Sequence, residues 1–201
     1  MFITFEGGEG CGKTTHIELL AEYLKAKGKD IIVTKEPGGT EIGKEIREML
    51  LEKEPEVHSE ILLFGADRIE HVEKVIKPAL TAGKIVLCDR YIDSTIAYQL
   101  SGRGLPEDLV RYVNWISSRG IMPELTFLLD IPVKDGIERA KSRGKLNRFD
   151  AEISGFHERV RDKYIEIASR NKDRIVVVDS LRPIDSVQKE IRGKLDSILT
   201  P

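Results

Sequence analysis

The chain has 201 residues, enough for one well-buried domain and short for two. With 40% hydrophobic and 33% charged residues it reads as a folded, soluble domain, which excludes a disordered chain. A formal net charge of −2 gives no global basic field for nucleic acid, and no run nears the roughly 18 apolar residues that cross a bilayer.

The start, Met1-Phe2-Ile3-Thr4-Phe5, has neither a basic region nor a cleavage site, so no signal peptide is expected. Residues 2–5 form the first of several short apolar runs. It leads into Gly7-Gly8-Glu9-Gly10-Cys11-Gly12-Lys13-Thr14, which matches the phosphate-binding loop G-x-x-x-x-G-K-[ST]. Glycines let successive N–H groups converge on phosphate oxygens, and the next helix adds its positive N-terminal end. Lys13 is expected to reach the β- and γ-phosphates and Thr14 Oγ1 to join a Mg²⁺ shell, with Thr15 also among the nucleotide-binding residues. After Thr14, Ile17, Leu20, Ala21 and Leu24 mark one face of a helix that Gly28 stops.

Further apolar runs follow at 31–34, 85–88, 125–129 and 175–178, nearly continuous rather than alternating, as in strands buried on both faces. Helical patterns lie at 41–51, 57–76, 106–118, 134–143, 152–171 and 184–199. Five strands alternating with helices predict a single α/β domain: a five-stranded parallel sheet flanked by helices. The third run ends Cys88-Asp89-Arg90-Tyr91, so Asp89 stands at the ligand-binding edge of the sheet, placed for Mg²⁺. Beside it, the Arg90 guanidinium can grip a second phosphate bidentately.

Residues 134–150 differ in character, with six basic residues, two glycines and little apolar periodicity in the second half. Few buried contacts are expected there, so the segment reads as mobile. Arg139 and Arg143 are four apart and share a helix face, and Gly144 then breaks the helix before Lys145 and Arg148. Cys11 and Cys88 show no metal-ligand spacing, and two free thiols in a reducing cytosol are expected. His16, His58, His71 and His157 are scattered and form no zinc pattern.

Four strings stand in order: Phe5-Glu6-Gly7-Gly8-Glu9-Gly10, Lys35-Glu36-Pro37-Gly38-Gly39-Thr40, Phe64-Gly65-Ala66-Asp67-Arg68, and the run from Asp89-Arg90-Tyr91 to Ala97-Tyr98-Gln99. Together they resemble the thymidylate kinase family over nearly the whole chain. The resemblance implies transfer of a phosphoryl group from ATP, with Mg²⁺, to dTMP, giving dTDP on the way to dTTP. It also implies a homodimer, while the two thiols point to the cytoplasm and the charge and hydropathy to no nucleic-acid or membrane partner. By the same resemblance Phe64 stacks on the thymine ring, Arg68 bonds its O4, Thr95 and Ser94 meet its N3 edge, and Tyr98 packs under the sugar. Glu9 lies near the 3′-hydroxyl, Arg47 and Arg90 clamp the acceptor phosphate, and Pro37 and Gln99 belong to the acceptor side.

Family members carry a catalytic arginine either in the phosphate loop or in a lid. Gly10 occupies the loop position here, which points to a lid at about 139–150. Arg143 is the first choice, Arg139 the second, with Arg148 contributing. Adenine contacts fall to the lid arginines and Arg182. Cys11 stands where the family more often has alanine, so alkylating it is expected to block ATP. The acceptor phosphate, with a second pKa of about 6, is mostly ionised near neutrality and needs no catalytic base. The rivals are a kinase for another monophosphate and a GTPase-like switch, for which Asn171-Lys172-Asp173-Arg174 is an imperfect guanine-reading string.

Overall fold

In the computed structural model of the chain, which describes residues 1–142, 148–149, 152 and 154–199, the five apolar runs are five strands. β1 (Phe2–Glu6) leads through the phosphate loop into α1 (Lys13–Ala26), then β2 (Ile31–Lys35) and α2 (Glu41–Glu52). α3 (Val57–His71) runs on through a wider, π-wound stretch, Val72–Ile76, into α4 (Lys77–Thr81). β3 (Ile85–Asp89) is followed by a short α5 (Ile92–Thr95), a second π-wound stretch, Ile96–Gly102, and α6 (Glu107–Ser118). β4 (Leu125–Asp130), α7 (Val133–Ser142), α8 (Ser154–Arg170), β5 (Ile175–Asp179) and α9 (Ile184–Leu199) complete the order.

The sheet order is β2-β3-β1-β4-β5 with every pair parallel. β1 is therefore central, and its register sets Phe5 opposite Asp89 on one side and Phe127 on the other. This alignment brings the start of the phosphate loop and the end of β3 to one point of the carboxyl edge, where open parallel sheets bind ligands.

One face of the sheet is covered by α1 and α9. Ile17, Leu20, Ala21 and Leu24, the stripe read from the sequence, pack with Val187, Ile191 and Leu195 against Phe5, Leu87, Phe127 and Leu129. Each such side chain removed from water contributes roughly 1.5–3 kcal/mol. The uniform burial expected of all five strands holds only for β1, β3 and β4. β2 and β5 are edges, and Val33 and Val177 are 47% and 44% exposed. Among the described residues no helix is long and apolar enough to cross a membrane.

Candidate active site

The loop between β1 and α1 turns sharply because Gly12, at φ 90°, takes a left-handed conformation that a side chain would resist. The turn is pinned from behind, where the Ser180 hydroxyl donates to the Cys11 carbonyl at 2.5 Å. Lys13 curls over the loop, its Nζ donating to the carbonyls of Gly7 and Gly8, both at 3.2 Å. Thr14 Oγ1 donates to Asp89 Oδ2 at 3.4 Å, while Asp89 Oδ1 is buried with no hydrogen-bond partner among the described residues. A hydroxyl and a carboxylate with spare acceptor capacity are the donor set that Mg²⁺ takes together with phosphate oxygens. No cluster of three or more His, Cys, Asp or Glu among the described residues builds an all-protein metal cage.

Arg90 follows β3 at φ 71°, a strained backbone for a residue with a side chain. That angle turns its guanidinium back over the sheet edge. Nη2 donates to Glu9 Oε1 at 2.7 Å and Nη1 to the Gly7 carbonyl at 3.1 Å, while the group lies 5.0 Å from the Tyr98 ring centre. Tyr98 Oη also donates to Glu9 Oε1, at 2.9 Å. Burial alone would raise the Glu9 carboxyl, but Arg90 and then Lys13 overcome it and bring the pKa down to about 2. Arg47 arrives from α2, which starts at the Thr40 cap (Oγ1 accepting from Gly43 N–H at 2.9 Å), and its Nη1 donates to the Pro37 carbonyl at 2.8 Å. Burial, and then the positive charge of Arg90, lower the pKa of Arg47. Two guanidiniums held this close mark a place where an anion belongs.

Two cavities open on these residues. A cleft of about 490 Å³ runs along Gly10, Cys11, Gly12, Lys13, Thr14 and Asp89, and a pocket of about 110 Å³ lies against Phe64, Arg68 and Tyr98. They meet at Glu9, Glu36, Arg47 and Arg90, which line both. Pro37, Ser94, Thr95, Gln99 and Phe149 also line the smaller pocket. Phe64 and Arg68 share a face of α3 because they are four residues apart. Arg68, only 2% exposed, is held rigidly: Nε donates to Glu36 Oε2 at 2.8 Å, Nη1 to Asn114 Oδ1 at 2.8 Å and Nη2 to Thr95 Oγ1 at 3.0 Å. Ser94 Oγ donates to the buried Glu6 carboxylate at 2.5 Å and is 2.7 Å from Tyr164 Oη.

Other expected residues fall elsewhere. Gly7 and Gly8 line a small cavity behind the loop, and Thr15 is exposed on α1 and lines neither of the two main cavities. Arg139 Nη1 donates to the Ser180 carbonyl at 3.0 Å, which ties it to the back of the phosphate loop. Arg182 turns to the Asp179 carbonyl and the Glu190 carboxylate and lines neither main cavity. Arg143, with Gly144 and Lys145, lies outside the described residues. Arg148 does not face the phosphate loop; its guanidinium is taken by the Glu60 carboxylate and the Leu50 carbonyl, both at 2.5 Å. The expectation of few buried contacts in this segment fails at its far end, where Phe149 is 5% exposed. Cys11, expected to react with an alkylating reagent, has its thiol fully buried in the core against the sheet.

Sequence reasoning missed Glu36, Asn114, Tyr164 and Phe149. Tyr164 carried a signal, but the wrong one: with Phe156 and Val160 it forms an i, i+4, i+8 stripe on α8 that reads as core packing. The guanine-reading string fails on position. Asn171 to Arg174 precede β5, at the amino edge of the sheet, where Arg174 pairs with Asp93 at 2.7 Å.

A parallel sheet with a phosphate loop at its centre, two cavities meeting at a pair of arginines and a carboxylate beside the Thr14 hydroxyl define a P-loop nucleoside monophosphate kinase, a phosphotransferase. The thymidylate kinase family model matches residues 5–191. The chain is 44% identical to a thymidylate kinase of Desulfovibrio desulfuricans, over 99% of this chain and 96% of that one. It is 47% identical to one of a Sulfurihydrogenibium species, over 96% of each. A crystal structure of thymidylate kinase from Ehrlichia chaffeensis superposes with a TM-score of 0.81 at 37% identity, over 97% of this chain and 98% of that one. The chain belongs to the thymidylate kinase family.

Proposed function

We propose that the chain transfers the γ-phosphoryl group of ATP to dTMP, with ATP in the larger cleft and dTMP in the pocket beside Phe64. The observation that carries this reading is the junction of the two cavities at Glu9, Arg47 and Arg90. An acceptor phosphate between the two arginines faces the phosphate loop. The pocket behind it is shaped for a flat base, with the Phe64 face, the clamped Arg68 guanidinium and the Thr95 hydroxyl within reach.

The chemistry needs positioning and charge neutralisation more than proton transfer. Lys13 leaves its two loop carbonyls for the β- and γ-phosphates, and Arg90 bridges the acceptor phosphate and the transferring group. Glu9, ionised throughout the working pH range, holds Arg90 and the Tyr98 hydroxyl and meets the sugar edge. Mg²⁺, held by Thr14 and Asp89, supplies further neutralisation of the triphosphate when bound. Arg139, and Arg143 four residues on in the sequence, provide the lid charge that Gly10 cannot.

A panel of nucleoside monophosphates with ATP and Mg²⁺ tests the assignment. dTMP is expected to turn over fastest, and a faster purine acceptor overturns it.

The active protein is a cytoplasmic homodimer in this reading. α2, α3 and α6 pack side by side and leave Ile42, Met49, Leu62, Tyr112 and Trp115 exposed, Trp115 at 69%. That many large apolar groups on adjoining helices are the mark of a buried interface. Trp115→Glu is expected to yield a monomer in sedimentation equilibrium, and an unchanged mass for both proteins at monomer size excludes the dimer.

A further inference from the structure

Glu60 sits on α3 one turn before Phe64 and is fully buried. Three side chains converge on its carboxylate. Gln99 Nε2 donates to Oε1 at 2.9 Å, Arg103 Nε to Oε1 at 3.2 Å, and Arg148 Nη2 to Oε2 at 2.5 Å. Gln99 lines the acceptor pocket. Arg148, bonded also to the Leu50 carbonyl at the end of α2, lies 4.3 Å from the centre of the Phe149 ring. Phe149 in turn stands 6.2 Å from the Phe64 ring and 5.9 Å from the Tyr98 ring and lines the same pocket. One buried carboxylate thus fixes two walls of the pocket: Gln99 directly, and Phe149 through Arg148.

We propose that Glu60 is a positioning residue for the acceptor, that Phe149 is an acceptor-contact residue, and that Arg148 is the tether that holds Phe149 in place. The proposal rests on the reading that dTMP occupies the pocket beside Phe64. It assigns Arg148 a role in binding the acceptor, away from the transferring phosphate. A carboxylate is required because two guanidiniums share this fully buried group, and a neutral partner leaves their positive charge uncompensated.

The test is steady-state kinetics on the full chain with ATP, Mg²⁺ and dTMP. Arg148→Met is expected to raise KM for dTMP about tenfold, the loss of roughly 1.4 kcal/mol of ordering, with KM for ATP and kcat within about threefold. Phe149→Ala should match it. Glu60→Gln should show the same pattern, and Arg148→Met should add little to it, since coupled residues are non-additive. If Glu60→Gln does not fold, the Arg148 variant, at a partly exposed position, decides together with Phe149→Ala. A fall in kcat of a hundredfold or more in Arg148→Met with KM for dTMP unchanged overturns the proposal, as does an equal rise in both KM values. Phe64→Ala separates the two levels. If it leaves KM for dTMP unchanged, the pocket assignment itself fails. If it raises that KM while Arg148→Met and Phe149→Ala do not, only the tether fails.

Discussion

Gly10 of the phosphate loop and Gly136 of α7 lie backbone against backbone. A Cβ on Gly10 would fall on the Gly136 carbonyl, and a Cβ on Gly136 would fall on the carbonyl of Glu9. Position 10 of the loop is therefore closed to a side chain by the helix that carries Arg139.

Gly136→Ala follows from this contact. On an exposed helix the change would stabilise by roughly 1 kcal/mol. Here it forces two backbones apart, and overpacking of that kind costs about 1–3 kcal/mol. A lower Tm, together with a fall in kcat of at least tenfold as Glu9 and the loop shift, is the expected result. A Tm at or above that of the parent would show that the contact yields freely.

Asp67 makes a pH-dependent contribution to stability. Burial, and then the neighbouring Glu36 carboxylate, push its pKa up to about 7 from an ordinary 3.8. The folded chain then binds a proton that the unfolded chain has released, so stability falls as pH rises from about 4 to about 7. Asp67→Asn keeps an oxygen for the Gly38 N–H, which donates to Oδ1 at 2.9 Å, and removes the titration. Its Tm relative to the parent is expected to climb across that window, by roughly 2–4 °C for each kcal/mol recovered. A difference that stays flat with pH contradicts the assignment.

The two thiols give a simple check on packing. Cys11 and Cys88 are free and fully buried, and burial raises the Cys88 thiol well above its ordinary range. A thiol-reactive chromophore is expected to label both only as fast as the chain unfolds, with or without ATP. Rapid labelling of one thiol in the native protein, blocked by ATP, would restore the accessible Cys11 that its loop position suggested.

The acid limb of the rate profile should belong to the substrate. Glu9, at a pKa of about 2, does not titrate in the working range. The acceptor phosphate, with a second pKa of about 6, does. kcat/KM for dTMP is expected to fall below about pH 6, and Glu9→Gln is expected to lower the whole curve roughly 10–100-fold without moving that limb. An acid limb that disappears in Glu9→Gln would place the titration on Glu9.

Much of the fold and of the phosphate side of the site was legible from residue order. The glycines and Lys13-Thr14 fix a loop by local geometry, and Asp89-Arg90 directly follows an apolar run that can only be a strand. What escaped notice depends on distant packing. Residues 92–102 were not read as helical because nearly every side is buried, which erases the 3.6-residue alternation that marks a surface helix. β2 looked like a central strand because its run is apolar throughout, yet sheet order makes it an edge. Glu60 has the appearance of an ordinary surface acid on a helix, and only the arrival of Arg103 and Arg148 from far along the chain gives it a buried partner set. Phe149, alone in a basic segment, has no periodicity to announce it.

Trp115 is the only tryptophan in the chain, and it projects from α6 into solvent beside Tyr112. Its indole is thus a native optical probe seated on the face assigned to self-association. Emission should move to shorter wavelength as that face is covered, so a dilution series read at one excitation wavelength would follow subunit pairing without any label.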